Sequence, residues 1–188
     1  MQKGGTEMIY KETEIILKNG KKAVLRAPKT EDAAETVEYL NKACGETDFL
    51  ARYPEENFFT EEAEKKYIEA NLNNPDTMMI VCTVDGKMAG NCQIVFMNTL
   101  KTRHRAAVMI GLLREFWGLG IGSAMFEQLI SAARERGSSQ LELEMIEGNL
   151  RAEALYRKMG FEEVARMPDA FRFRDGTSHS AVFMRKVL

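Results

Sequence analysis

The sequence predicts a mixed α/β fold, on three observations. Strand-like segments flank turn dipeptides three times: residues 13–18 and 21–26 around Asn19-Gly20, residues 77–84 and 87–97 around Asp85-Gly86, and residues 161–174 and 180–187 around Asp175-Gly176. Between them lie segments with apolar residues three and four apart, the pattern of helices that bury one face. In the middle, an apolar run ending at Leu112-Leu113 breaks into Trp117-Gly118-Leu119-Gly120-Ile121-Gly122-Ser123 and then turns helical.

At 188 residues the chain fits one ordinary domain, 1–188, with residues 1–12 as an N-terminal extension. A formal net charge of −2 argues against nucleic acid as a bulk partner. Cys44, Cys82 and Cys92 form no close-spaced pair and there are two histidines, so no metal-ligand spacing is present. Reduced, buried thiols in a cytoplasmic protein are expected. Met1-Gln2-Lys3-Gly4-Gly5 has no apolar run behind it, and no stretch approaches 18 apolar residues, so neither secretion nor a membrane is expected. A homodimer is left open.

Taken in order, the first hairpin turns at Asn19-Gly20, where a two-residue turn would put both residues at positive φ. Thr30-Glu31-Asp32 reads as a cap and acidic first turn, followed by Ala33, Ala34, Val37, Leu40 and Ala43 at helical spacing. Residues 45–60 lack a period yet carry Phe49, Tyr53, Phe58 and Phe59. These rings either line a substrate site or pin the loop to the body. A second helix starts at Thr60 and ends before Asn73-Asn74-Pro75. Residues 103–113 supply the strand entering the glycine segment. Residues 120–136 form a helix with Ile121, Met125, Phe126, Leu129, Ile130 and Ala133 on one face, closed by Gly137. Gln140 to Ile146 alternates Leu141, Leu143 and Met145 against Glu142 and Glu144, which puts both acids on one face of a strand.

The glycine segment suits a phosphate: glycine lets backbone N–H groups approach a ligand, and a helix start adds unpaired N–H groups and a positive dipole end. A ligand-free strand-to-helix turn is the competing explanation. The dinucleotide fingerprint Gly-x-Gly-x-x-Gly does not fit, because Ser123 stands where the third glycine belongs and 66 residues after Gly122 are too few for such a fold.

Downstream, Asn149-Leu150-Arg151-Ala152-Glu153-Ala154-Leu155-Tyr156-Arg157-Lys158-Met159-Gly160-Phe161 resembles the Asn-x-x-Ala-x-x-Leu-Tyr-x-x-x-Gly-Phe element of the GNAT superfamily of acetyl-coenzyme A-dependent N-acetyltransferases. The glycine segment is similar to that superfamily's pyrophosphate loop, with Trp117 where Gln or Arg is usual, and the resemblance extends over roughly residues 21–188. It implies a strongly bent mixed sheet of six or seven strands with helices on both faces. It also implies that the strand at 103–113 splays from the strand at 140–146. Acetyl-coenzyme A would lie in that cleft, with its pantetheine arm along Ile110 to Leu112, its pyrophosphate on Trp117, Gly118, Leu119, Gly120, Ile121, Gly122 and Ser123, and Asn149 nearby. No metal is implied.

On the same resemblance, Tyr156 holds the general-acid position, and a phenol of pKa about 10 is protonated at neutral pH. A backbone N–H near Leu112 would serve the oxyanion. For the base, Glu144-Met145 with Asn149 and Tyr156 resembles the ribosomal-protein N-terminal alanine acetyltransferases, where the glutamate is thought to act through water. A solvated strand glutamate is the competing explanation for Glu144, and Glu142, His104 and His179 are weaker alternatives. Deprotonating a lysine near pH 7.4 costs about 4 kcal/mol, an α-amine about 0.5 kcal/mol. A site without an obvious strong base therefore suits an α-amine, of a protein N-terminus or a small molecule. A non-catalytic acetyl-coenzyme A sensor is the alternative from another class. A toxin-like enzyme acting on aminoacyl-tRNA would need a basic face, which the near-neutral net charge disfavours.

Overall fold

The computed structural model describes residues 9–56 and 60–188. The start of the extension and the rings of Phe58 and Phe59 lie outside the described residues.

Among the described residues eight strands form one sheet: β1 (Thr13–Ile16), β2 (Lys22–Arg26), β3 (Thr77–Val84), β4 (Lys87–Phe96), β5 (Arg105–Leu112), β6 (Gln140–Ile146), β7 (Glu162–Arg172) and β8 (Ser178–Val187), in the order β1-β2-β3-β4-β5-β6-β8-β7. The six or seven strands implied by resemblance become eight because each end of the chain contributes a complete hairpin to an edge. Only β5 and β6 are parallel; every other neighbouring pair is antiparallel. The Asp85-Gly86 turn has both residues left-handed, as a two-residue hairpin requires. At Asn19-Gly20 only Gly20 is left-handed and Leu17 N–H donates to the Lys21 carbonyl, so that loop is one residue longer than expected.

Helices α1 (Ala33–Glu46) and α2 (Glu61–Leu72) cover one face, and α3 (Ile121–Glu135) and α4 (Leu150–Lys158) the other. The alternation of β3 distributes its side chains accordingly: Val81 meets Tyr39 and Ala43 of α1, while Ile80 and Cys82 join the larger core with Met125, Phe126 and Leu129 of α3. The apolar face expected of α3 is the buried one. The first helix begins later than the Thr30 cap suggests. Thr30–Asp32 forms a 3-10 turn whose Asp32 carboxylate accepts the Lys29 N–H and a bidentate pair from Arg26. Cys44, Cys82 and Cys92 are free and buried. No helix among the described residues is long and apolar enough to cross a membrane.

Candidate active site

The site begins where the sheet comes apart. Parallel pairing of β5 with β6 runs from Arg105–Gln140 to Ala107–Glu142 and stops. Hydrogen bonds from Leu113 N–H to the Ala89 carbonyl and from Met97 N–H to the Arg105 carbonyl mark the odd-numbered residues of β5 as those paired with β4. Antiparallel geometry therefore turns the backbone groups of Val108, Ile110 and Leu112 toward β6, past the last parallel pair. On β6, Glu147 N–H donates to the Ser180 carbonyl, so odd residues pair with β8 and the backbone groups of Glu144 and Ile146 face the gap. Two strand edges thus line one cleft.

At its mouth β5 passes through a 3-10 turn, Arg114–Phe116, into the glycine segment. Gly120 is the N-cap of α3 at φ +100°, and no side chain caps this helix, which leaves its first N–H groups directed at the cleft. Gly122 answers a different need. A Cβ there would stand 2.8 Å from Leu155 Cδ2 and 3.5 Å from Leu112 Cδ1, so its absence lets α3 lie against α4 and β5. Leu119 is turned away from the cleft: its carbonyl accepts the Lys18 N–H and its side chain packs on the core. Three cations at this end were not read from the sequence, namely Lys18, Arg151 and Lys158, and the Lys158 ammonium donates to Ser123 Oγ at 3.0 Å. Arg151 and Lys158 are seven residues apart, two helical turns, which is the signal that could have found them.

Trp117 does more than replace the usual residue. Its indole Nε1–H donates to the Leu112 carbonyl at 2.8 Å, and its ring lies 5.0 Å from the Arg151 guanidinium and 5.5 Å from that of Arg114. The last carbonyl of β5 is thereby occupied, and Leu112 presents only its N–H to the cleft. Asn149 caps α4, its Oδ1 accepting the Ala152 N–H at 3.2 Å. Two turns on, Tyr156 is buried edge-on to Phe126, with ring centroids 5.5 Å apart, and burial pushes its phenol up to about 12. The hydroxyl makes no hydrogen bond among the described residues.

These walls enclose a cavity of about 1660 Å³, lined by Ile110, Leu112, Trp117, Gly118, Gly120, Ile121, Gly122, Ser123, Glu144, Asn149 and Tyr156. Glu144 is exposed to it and has no polar partner among the described residues. Glu142, on the same face, is taken by Arg105 through bonds of 3.0 and 2.6 Å. Neither histidine lines the cavity. His104 is exposed at the start of β5, and His179 stacks on Phe173 with its Nε2 3.0 Å from Thr177 Oγ1. In the loop after α1, residues 47–56, one ring pins the loop and another lines the cavity. Tyr53 fastens it to the β7–β8 turn, under the Arg174 guanidinium at 4.0 Å and accepting the Arg174 N–H, with a Glu55–Arg174 ion pair beside it; Phe49 lines the cavity.

The acetyltransferase (GNAT) family matches residues 44–161, from the end of α1 through the residue after Gly160. The chain belongs to this family. A Bacillus subtilis (strain 168) protein named for alanine N-acetylation of ribosomal protein bS18 is 28% identical over 92 residues, 48% of this chain and 58% of that relative's length. A GNAT-family acetyltransferase of Streptococcus pneumoniae shares the fold at a TM-score of 0.82 and 25% identity, covering 88% of this chain and 99% of its own. The ribosomal-protein-alanine N-acetyltransferase of Brucella melitensis superposes at a TM-score of 0.75 with 24% identity, over 87% and 99% of the two chains. The GNAT match ends at Phe161, so the β7–β8 hairpin, which closes the far side of the cleft, lies outside it.

Proposed function

We propose that the chain is a cytoplasmic N-acetyltransferase, acting as one catalytic domain, that moves the acetyl group of acetyl-coenzyme A to the α-amine at a polypeptide N-terminus. The observation that carries this reading is the parted β5–β6 seam, with uncapped backbone N–H groups at one end of the gap and an unpartnered carboxylate at the other. The cavity's features fit the cosubstrate. Gly118 and Gly120 line the cradle without side chains, α3 presents unpaired N–H groups, and Lys18 and Lys158 add positive charge where phosphates would sit. Acetyl-coenzyme A supplies the acetyl carbon: its bond to nitrogen forms as the carbonyl oxygen takes up charge, and its bond to sulfur breaks as that charge returns.

The residues then divide the work. Backbone groups of Val108 and Ile110 hold an extended amide-bearing arm as a further strand would be held. Leu112 N–H donates to the oxygen that gains charge as the amine adds. Glu144, directly or through a water, takes the proton that the amine loses. Tyr156 donates to the departing sulfur. A thiol ordinarily titrates near 8.5, so full transfer from a phenol at about 12 is uphill by about 5 kcal/mol, and the hydroxyl acts chiefly as a hydrogen-bond donor. Direct attack is favoured because no cysteine among the described residues lines the cavity. Free buried thiols also suit a reducing compartment.

The test is acetyl transfer to a peptide with a free N-terminus and an internal lysine, located by fragmentation mass spectrometry. Acetyl on the α-amine, with none on an N-terminally blocked copy, is the expected result. Acetyl on the lysine of the blocked copy would reject the α-amine assignment, and tight acetyl-coenzyme A binding without transfer to any amine would favour a sensor.

A further inference from the structure

The acceptor end of the cleft differs in chemistry from the cofactor end. Among the described residues three acids line the cavity, and two are occupied: Glu46 accepts the Arg114 N–H at 2.6 Å and Glu142 holds Arg105. Glu144 remains. Of the cations at this end, Arg105 is held by Glu142, and Arg185 by Glu162 at 2.8 Å through its terminal nitrogen, its buried Nε having no partner among the described residues. Around Glu144 the wall is apolar. Phe183 is its cross-strand partner on β8, where facing side chains stand about 5 Å apart. Phe49 lies over Gly148, 3.7 Å from where a Cβ would be, next to Leu150 at the start of α4.

Three large apolar side chains of the same cavity stand open to solvent: Met109 at 51%, Leu150 at 75% and Val164 at 52%. Single exposed apolar residues are ordinary, but several lining one cavity mark a surface built to be covered. A polyamine, an aminoglycoside or a lysine-rich peptide would bring two or more cations to one free carboxylate and leave the rest of its charge against apolar side chains. An acidic acceptor would meet Glu144 itself and, among the described residues, two arginines that already carry carboxylate partners.

Resting on the α-amine reading above, we infer that the acceptor is a polypeptide N-terminus whose first or second residue carries a large apolar side chain, seated against Met109, Phe49, Leu150, Val164 and Phe183. Its single positive charge meets Glu144 and its apolar side chain covers the open wall. Discrimination comes from two sources: apolar contact for the correct chain, and unpaired charge for the wrong one.

The experiment measures kcat/KM by thiol release with acetyl-coenzyme A and two series of otherwise identical peptides, placing Leu, Phe, Ala, Lys or Asp at the first or at the second position, with spermidine as the small polycation. Leu and Phe should exceed Lys and Asp by about tenfold or more in at least one series. Met109→Glu, and in parallel Val164→Glu on the exposed edge strand, should shift that preference toward Lys. Equal values across both peptide series would overturn this inference while leaving the α-amine reading intact. Turnover of spermidine but of no peptide would overturn both.

Discussion

The two ends of the cleft are made of different material. The end at the start of α3 is made of main chain: the inward-facing groups of Val108, Ile110 and Leu112, a glycine N-cap without a side-chain partner, and Gly118 with open space where a Cβ would be. The end at Glu144 is made of side chains: a carboxylate, Phe183 across the strand, Met109, and Phe49 borne on a loop that Tyr53 and Arg174 fasten down. Backbone donors and a helix start bind any phosphate-bearing thioester carrier without regard to what it acylates. Side chains select. A family can therefore keep the first end and rebuild the second, and here the family match stops before the hairpin that carries Phe183.

The largest expected effect tests the one side chain that serves the joint between the ends. Tyr156→Phe keeps the ring against Phe126 and removes the hydroxyl, so turnover should fall by about 10²- to 10³-fold, the loss of one donor to developing charge, with acetyl-coenzyme A affinity nearly unchanged. Single-turnover kinetics beside equilibrium binding separate the two quantities. Full turnover would return Tyr156 to the core. Because burial holds the phenol near 12, the wild-type pH–rate profile should show no loss from Tyr156 ionisation below about pH 10.

The main-chain end is broken most directly at Gly120. Gly120→Asp forces a non-glycine residue to φ +100° and sets a negative charge at the helix start, and calorimetry should show acetyl-coenzyme A affinity down by about 10²-fold or more. A thermal melt near wild type establishes that the variant is folded.

Glu144→Gln probes the opposite end. Its loss in kcat/KM should be about 10- to 10²-fold at pH 7, where an α-amine of pKa about 7.8 is mostly protonated, and should shrink by pH 9 as the amine deprotonates unaided. A pH-independent loss would assign Glu144 to binding and not to proton removal.

The smallest effect sharpens the comparison, since Trp117 is a side chain at the main-chain end. Trp117→Phe frees the Leu112 carbonyl, and one hydrogen bond of about 1 kcal/mol corresponds to about a fivefold rise in KM for acetyl-coenzyme A with kcat little changed. As the chain's single tryptophan, it should also report cofactor binding through its own fluorescence.

How much could be read in advance follows the same division. The Asp85-Gly86 turn, the α3 stripe, the Asn149 cap and the glycine loop are set by contacts within a few residues, where spacing is a direct record of geometry. The pairing of Glu142 with Arg105 spans 37 residues and that of Tyr53 with Arg174 spans 121, so whether an acid is free or occupied depends on packing that no local period encodes. Glu142 and Glu144 are indistinguishable as letters on one strand face; only the ion pair separates them. The same holds for Trp117, whose partner is five residues away but lies around a turn.

The short seam between β5 and β6 has a consequence for how the molecule comes apart. From Ala107–Glu142 onward nothing in the sheet ties the β1–β5 block to the β6–β8 block, so each block is a natural unit of partial opening, and amide hydrogens within a block should exchange together. A ligand lying along both edges would act as a removable strand. Its binding energy would then appear as slowed exchange in β8, a strand one removed from the cleft edge, and the protein's cooperativity would be lent by its own substrate.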